Sequence, residues 1–429
     1  MLGWACATPV HAGESGFGIG LSLAHDSNIA YVETNPQSDW TQTLMAGLFY
    51  QENTVDVTAH VLAQVERRHF LNHSFSDDTG GFLDGAAVWS IVPRKFTWSV
   101  EDTFREVQVA ITSPSTPSNL SKSNALNTGP DFTFALSSLN SAVIGGRYGR
   151  FDIQDSNIDN HRYMAYVRGV HALSPQTKVS LNYETTHTYF EPGAAFTKVL
   201  RQDVFARYDM HSGLNGLTVD LGATRLAPYG SPEVTGRLAR LGLSQALSSQ
   251  SALRLALSDQ ISDTASDLIA GVTSSTAPSE APAVALNVNT FASGDLYHSK
   301  RGEISYANDD RRLAYTFQLY GRRVDFETLD QDYQEGGGAF QWSWVFSGAM
   351  KFNAFATYAK RTFDSLDRQD TDRNTGVGMA FRLNSNVSFL VQGGRLERQS
   401  TAPASSFVDN RILLLLGYSA GPFEVRSRR

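Results

Sequence analysis

Charged residues recur along this chain at positions that an alternating strand would place on one face. Glu66, Glu101, Arg105, Arg147, Asp203, Arg207, Asp220, Arg240, Arg254, Arg322, Lys351, Arg382 and Arg411 stand in phase with polar neighbours and out of phase with an apolar set. Spread over the whole length, they do not form a catalytic centre. They suit the wall of a water-filled passage, where guanidinium groups pair transiently with the carboxylates or hydroxyls of a moving solute. They equally suit a set of ion pairs that neutralise one another inside a narrow or plugged barrel. Enzyme chemistry has little footing. A nucleophile needs a base within reach, and His298-Ser299 and Asp309-Asp310 read as a strand histidine and a turn pair. The chain has no Walker loop, dinucleotide fingerprint or Cys/His metal spacing. No catalytic residue, metal or cofactor is expected.

The elements that must hold such a wall are strands. Val55, Val57, Ala59, Val61, Ala63 and Val65 alternate with Asp56, Thr58, His60, Gln64 and Glu66. Phe96, Trp98, Val100 and Phe104 alternate with Thr97, Ser99, Glu101, Thr103 and Arg105. The same period of two runs through 203–209, 313–319 and 412–418, putting apolar and polar residues on opposite faces of a sheet. Short turns rich in Gly, Pro, Asn, Asp and Ser fall at 51–53, 93–95, 138–140, 174–176, 212–216, 248–250, 308–310, 347–349 and 384–386. Longer polar stretches lie between them, near 25–38, 67–80, 109–130, 154–160, 188–200, 226–235, 262–295, 325–338, 362–373 and 399–408. Nine turns and ten loops join twenty strands (eighteen, if strand 1 or the weakly patterned segment after Thr264 fails). Strict short–long alternation is the signature of a transmembrane antiparallel up-and-down β-barrel, with turns on the periplasmic side and loops outside. A barrel that wide is not filled by its own wall, so a channel or a loop plug is implied. The longest loop, 262–295, is expected outside as a mobile external loop, with an inward constriction as the alternative.

Composition agrees. Charged residues make up 18% and hydrophobic residues 41% of 429. No apolar run approaches the roughly 18 residues of a membrane helix, and an aromatic content of 11% disfavours disorder. With 36 basic and 43 acidic residues the net charge is −7, a poor balance for nucleic acid. A soluble propeller would show a repeat near 40 residues, and none is present. Tyr50, Trp89, Trp98, Tyr148, Tyr297, Trp342, Trp344 and Tyr358 sit near strand ends, as interfacial girdles require. Arg168 and Lys300 share faces with apolar neighbours and are expected near an interface. Residues 1–12, MLGWACATPVHA, are read as the remainder of a signal peptide cleaved after Ala12. The single barrel domain then spans 13–429 and holds no cysteine, since Cys6 is the only one. That suits passage through an oxidising periplasm. Arg426, Arg428 and Arg429 form a short, solvated basic tail.

The stretch FTWSVEDTFREVQVAITSPSTPSNLSKSNALNTGPDF carries Trp98, Asp102, Pro117, Asn124, Asn127, Gly129 and Pro130. It resembles outer-membrane β-barrel proteins encoded beside bacterial exopolysaccharide and exosortase systems. GLSLAHDSNIAY, with Asp26 and Asn28, and GGRYGRFD, with Gly146, Arg147 and Tyr148, look like the same family. The resemblance implies a multi-pass location in the Gram-negative outer membrane. It also implies export or assembly of surface polysaccharide, with outer-membrane lipid, the polysaccharide and periplasmic export proteins as partners. It brings no catalytic residues. A general diffusion porin is the alternative, and an outer-membrane hydrolase a more distant one. Outer-membrane barrels commonly finish on an aromatic residue. Here the chain continues past Tyr418 to GPFEVRSRR, which leaves Phe423 in that role or the end atypical.

Overall fold

The computed structural model describes residues 13–154, 156, 158–192, 196–274, 293–423 and 425. Residues 1–12, read above as the remainder of a signal peptide, the basic tail 426–429 and most of the 262–295 loop lie outside these residues.

Twenty strands follow one another. They are β1 (Glu14–Asp26), β2 (Asp39–Asn53), β3 (Val57–Phe70), β4 (Asp78–Val92), β5 (Phe96–Gln108), β6 (Leu120–Ala135) and β7 (Asn140–Ile153). Next come β8 (Asn160–Ser174), β9 (Thr177–Phe190), β10 (Lys198–Ser212), β11 (Asn215–Pro228), β12 (Val234–Ala246), β13 (Ser251–Ser262) and β14 (Tyr297–Asp309). The ring is completed by β15 (Leu313–Phe326), β16 (Tyr333–Ser347), β17 (Met350–Phe363), β18 (Arg368–Arg382), β19 (Val387–Ser400) and β20 (Phe407–Ala420). Each pairs antiparallel with the next, and β1 closes on β20 from Phe17↔Ala420 to Asp26↔Arg411. The nine turns and ten loops fall where the sequence puts them. Several loops are shorter than expected. β6 begins at Leu120, inside the stretch read as loop 109–130, because Asn127, Gly129 and Pro130 pair with β5 despite their low strand propensity. β17 and β18 likewise leave only 364–367 between them.

One face of the ring is greasy and bare. Leu21, Leu44, Val65, Val167, Leu181, Val204, Leu221, Leu257, Leu319, Val377 and Leu416 are all exposed. A continuous apolar belt of this kind has hydrocarbon, not water, as its solvent. In hydrocarbon an open sheet edge leaves backbone groups unsatisfied, which is why β1 must meet β20. The chain is therefore a multi-pass β-barrel of the outer membrane. Tyr50, Trp89, Trp98, Tyr148, Trp344 and Tyr358 project outward, as a girdle requires. Tyr297 does not. It is buried among Ile111, Val324, Tyr333 and Phe363.

Two segments cross the extracellular mouth. Ile111, in the loop between β5 and β6, packs on β14 to β17, and its carbonyl accepts from Arg361 Nη1 at 3.3 Å. Asn119 staples that loop by accepting from Ala110 N at 2.8 Å and donating to Ser113 O at 3.1 Å. From the other wall, helix α1 (Thr264–Ser274) leaves β13 and sets Ala265 and Leu268 against Val107, Ala125, Phe151 and Ile153 of β5 to β7. Strands so far apart round the ring meet only through its interior, so these contacts identify the inward face. The described part of the longest loop thus folds inward rather than standing outside, because Ala265 and Leu268 find an apolar patch on the far wall.

The periplasmic end carries a third insertion. After β20 the chain turns back at Gly421, whose φ is +74°. Phe423 and Val425 become buried among Met45, Phe49 and Leu415. Phe423 is thus not a strand-terminal aromatic. Gly18, Gly20 and Gly47 make the room, since a Cβ on Gly18 would sit 2.7 Å from Val425 Cγ2 and one on Gly47 would overlap the Phe423 ring. A buried Phe contributes about 3–5 kcal/mol. Carboxypeptidase is expected to stop short of Val425 in the native barrel and to pass Phe423 in Gly47→Leu. Equal resistance in both would contradict the packing.

Candidate functional site: the lumen wall

Alternation puts all eleven candidate lining residues, Glu101, Arg105, Arg147, Asp203, Arg207, Arg240, Arg254, Arg322, Lys351, Arg382 and Arg411, on the inward face. They divide into two groups. Most are already engaged with the wall. Arg105 Nη2 is 2.7 Å from Asp84. Arg147 makes a fork to Asp131 at 2.7 and 2.9 Å. Arg207 forks onto the buried Asp220 at 2.6 and 2.8 Å, and Arg240 approaches the same carboxylate at 3.3 Å. Asp203 accepts from Arg201 at 2.8 Å and from Thr224 at 2.6 Å, while Glu101 accepts from Asn127 at 3.1 Å. Arg411 lies between Asp26 and Asp409, at 2.9 and 2.6 Å, with its guanidinium over the Tyr31 ring.

A buried cluster joins three strands. Glu335 accepts from Arg361 Nε at 2.6 Å, Arg322 Nη2 at 3.2 Å and Tyr320 Oη at 2.7 Å, and all four side chains are largely buried. Two cations share one carboxylate here, and Arg361 also holds the 109–119 crossing. The α1 crossing has its own anchor. Arg162 donates to Asp263 at 3.0 Å and to Ser266 at 3.2 Å. Burial would raise the Asp263 carboxyl, but Arg162 and Ser266 outweigh it and hold the group at about 2. Asp267 in α1 is pushed up by burial, and accepts from Tyr297 Oη at 2.7 Å.

The second group is free. Arg254, Lys351 and Arg382 make no ion pair among the described residues. All three lie toward the periplasmic ends of β13, β17 and β18. Arg168 also departs from expectation. It faces inward rather than toward lipid, donating to Asn182 at 2.7 Å with its guanidinium 5.7 Å from the Tyr166 ring centre. The expectation failed because Val167 and Val170 flank it in opposite phases, so the local pattern is ambiguous. Lys300 does face outward, near the extracellular end of β14. Sequence reasoning missed Asp84, Asp131, Arg162, Glu335 and Arg361. Glu335 is followed by Gly336-Gly337-Gly338, which reads as a turn, yet the run is strand throughout. No group of three or more potential metal ligands occurs among the described residues. His298 pairs with Asp259 at 2.5 Å on the outward face.

Glu335→Gln would leave Arg322 and Arg361 buried without an anion. It is expected to cost about 3–5 kcal/mol in urea unfolding from lipid vesicles, and an unchanged midpoint would sink the assignment. For Asp263 the folded value lies below the ordinary 3.8. Its stabilisation is therefore complete above about pH 4 and is lost as pH falls toward 2. Pepsin should cut 264–274 slowly at pH 4 and quickly near pH 2, and Arg162→Met should already be cut at pH 4.

No family model matches the chain, and no curated protein matches it. Solved structures do resemble it. The ferric enterobactin receptor PfeA of Pseudomonas aeruginosa is 10% identical, covering 95% of this chain and 80% of that one, with a TM-score of 0.43. The FrpB iron transporter of Neisseria meningitidis (F5-1 variant) is 9% identical, covering 94% and 81%, at 0.45. OccK2 of Pseudomonas aeruginosa is 9% identical, covering 96% and 98%, at 0.38.

Proposed function

We propose that this barrel is a conduit or scaffold that carries an acidic surface polysaccharide across the outer membrane. The observation behind this reading is the trio of free inward cations, Arg254, Lys351 and Arg382, at the end where an exported chain would enter. Exposed ammonium and guanidinium groups hold sugar carboxylates through charge-assisted hydrogen bonds, yet solvation keeps each contact weak enough for a chain to slide. The resemblance to barrels of exopolysaccharide systems supports the same cargo class. A periplasmic export protein would deliver the chain to this rim.

The arginines already tied to the wall serve differently. Arg207 and Arg322 spend their charge on Asp220 and Glu335. Reversing either would break a largely buried pair and damage the barrel before it revealed anything about cargo. The free trio is the informative target. Arg254→Glu with Lys351→Glu and Arg382→Glu is expected to lower secreted polymer severalfold while the amount of folded barrel in the membrane stays constant. Undiminished secretion would remove the proposal.

The alternative, a general diffusion porin, draws on the two crossings that narrow the mouth. In planar bilayers that reading requires a steady open pore with anion preference, reduced in the Gln version of the same triple variant. A barrel that stays closed would discard it.

A further inference from the structure

Phe355 is an aromatic side chain on the polar side of the wall. It stands on β17 in phase with the inward Lys351, and Gly376 of β18 and Gly394 of β19 follow it as successive cross-strand partners. A Cβ on Gly376 would fall 2.5 Å from both Cε1 and Cζ of Phe355. The ring therefore lies down across β18, in space that any residue but glycine would fill. Phe205 lies against Gly222 in the same manner. That ring, however, is buried, with the guanidinium carbons of Arg207 and Arg240 at 5.6 and 5.3 Å from its centre. Phe355 has no such cover. It is half-buried and belongs to none of the apolar clusters among the described residues. An apolar ring surface is thus left against lumen water, and a ligand that covers it gains the free energy of burial.

Amides without partners surround the ring. Asn353, two residues toward the periplasm, lies across Gly378, where a Cβ would overlap its Oδ1. Gln392 of β19 pairs with Gly378 from the other side, and Asn374 precedes Gly376 by two residues on β18. All three are half-buried, and none of their side chains forms a hydrogen bond among the described residues. Each offers two N–H donors and a carbonyl acceptor. Lys351, one of the free cations of the periplasmic rim, lies four residues before Phe355, about 13 Å along the same face of the strand. A chain held at Lys351 by a carboxylate passes next over Asn353 and the ring.

From this placement we infer that Phe355, Asn353, Asn374 and Gln392 form a lumen subsite for an uncharged pyranose unit of a glycan. The bare ring and the free amides match the two surfaces of such a unit. A pyranose has an apolar C–H face, whose slight positive charge packs on the negative face of an aromatic ring. Its rim carries hydroxyls that both donate and accept, as side-chain amides do. The inference takes the glycan from the export reading and goes further. The rim cations hold carboxylates, whereas this subsite holds the sugar ring itself.

The test is saturation-transfer NMR on the full-length barrel in deuterated detergent, with cellohexaose, maltohexaose and a polyethylene glycol of matching length as separate probes. At least one hexaose is expected to take up saturation on its C–H protons. Its affinity should fall about tenfold in Phe355→Leu, which keeps the apolar bulk, and return in Phe355→Tyr. Asn353→Ala with Gln392→Ala should lower it severalfold. Phe340→Leu, on the outward face, should leave it unchanged. Heat-modified electrophoretic mobility establishes that each variant is a folded barrel. No saturation on either hexaose, or equal affinity in Phe355→Leu and the native protein, would overturn the inference. So would the polyethylene glycol binding with the same dependence on Phe355. Secretion is read separately. Hexaose binding through Phe355 beside normal secretion in the charge-reversed triple variant supports the subsite and removes only the export reading.

Discussion

A sheet whose outer face is dissolved in hydrocarbon has no freedom to leave a backbone group unpaired. Closure of β1 on β20, the absence of an edge, the strict alternation of residue type and the confinement of irregular chain to the two ends all follow from that constraint. It also explains why β6 stays paired with β5 through Asn127-Thr128-Gly129-Pro130. Neighbouring strands supply a ladder that outweighs poor local propensity, since the alternative is an unsatisfied amide in lipid.

The same constraint displaces most of the polarity inward. The lumen wall becomes a lattice of charges of both signs at close range, and most of them resolve into cross-strand pairs. These pairs do more than cancel. Glu335 with Arg361 fixes the 109–119 crossing, and Arg162 with Asp263 fixes α1. The ion pairs of the wall thereby hold the segments that narrow the mouth. Of the eleven candidate lining residues, charge that is not consumed in this way remains on the inward periplasmic rim at Arg254, Lys351 and Arg382.

Legibility in the sequence followed the strength of the alternation. Val204, Ala206 and Tyr208 against Asp203, Arg207 and Asp209 announce their faces without help. Arg168 did not, because valines flank it in both phases. Glu335 was hidden by the glycines after it, and Asp370 and Asp372 by their place in a polar run, although both lie in β18. The tail was opaque for a different reason. Phe423 and Val425 carry no pattern of their own, and the hollow that receives them is built from Gly18, Gly20 and Gly47 on two other strands.

The order of residues by itself determined the number of strands, their direction, the side on which the turns lie and the face on which each in-phase charge projects. These depend on a period of two and on turn chemistry, which are properties of neighbours in the chain. Which arginine meets which carboxylate, which remain free, and where α1 and the tail come to rest were decided only by the closed barrel. Those outcomes depend on register between strands and on the distance across the ring, and a linear pattern contains neither.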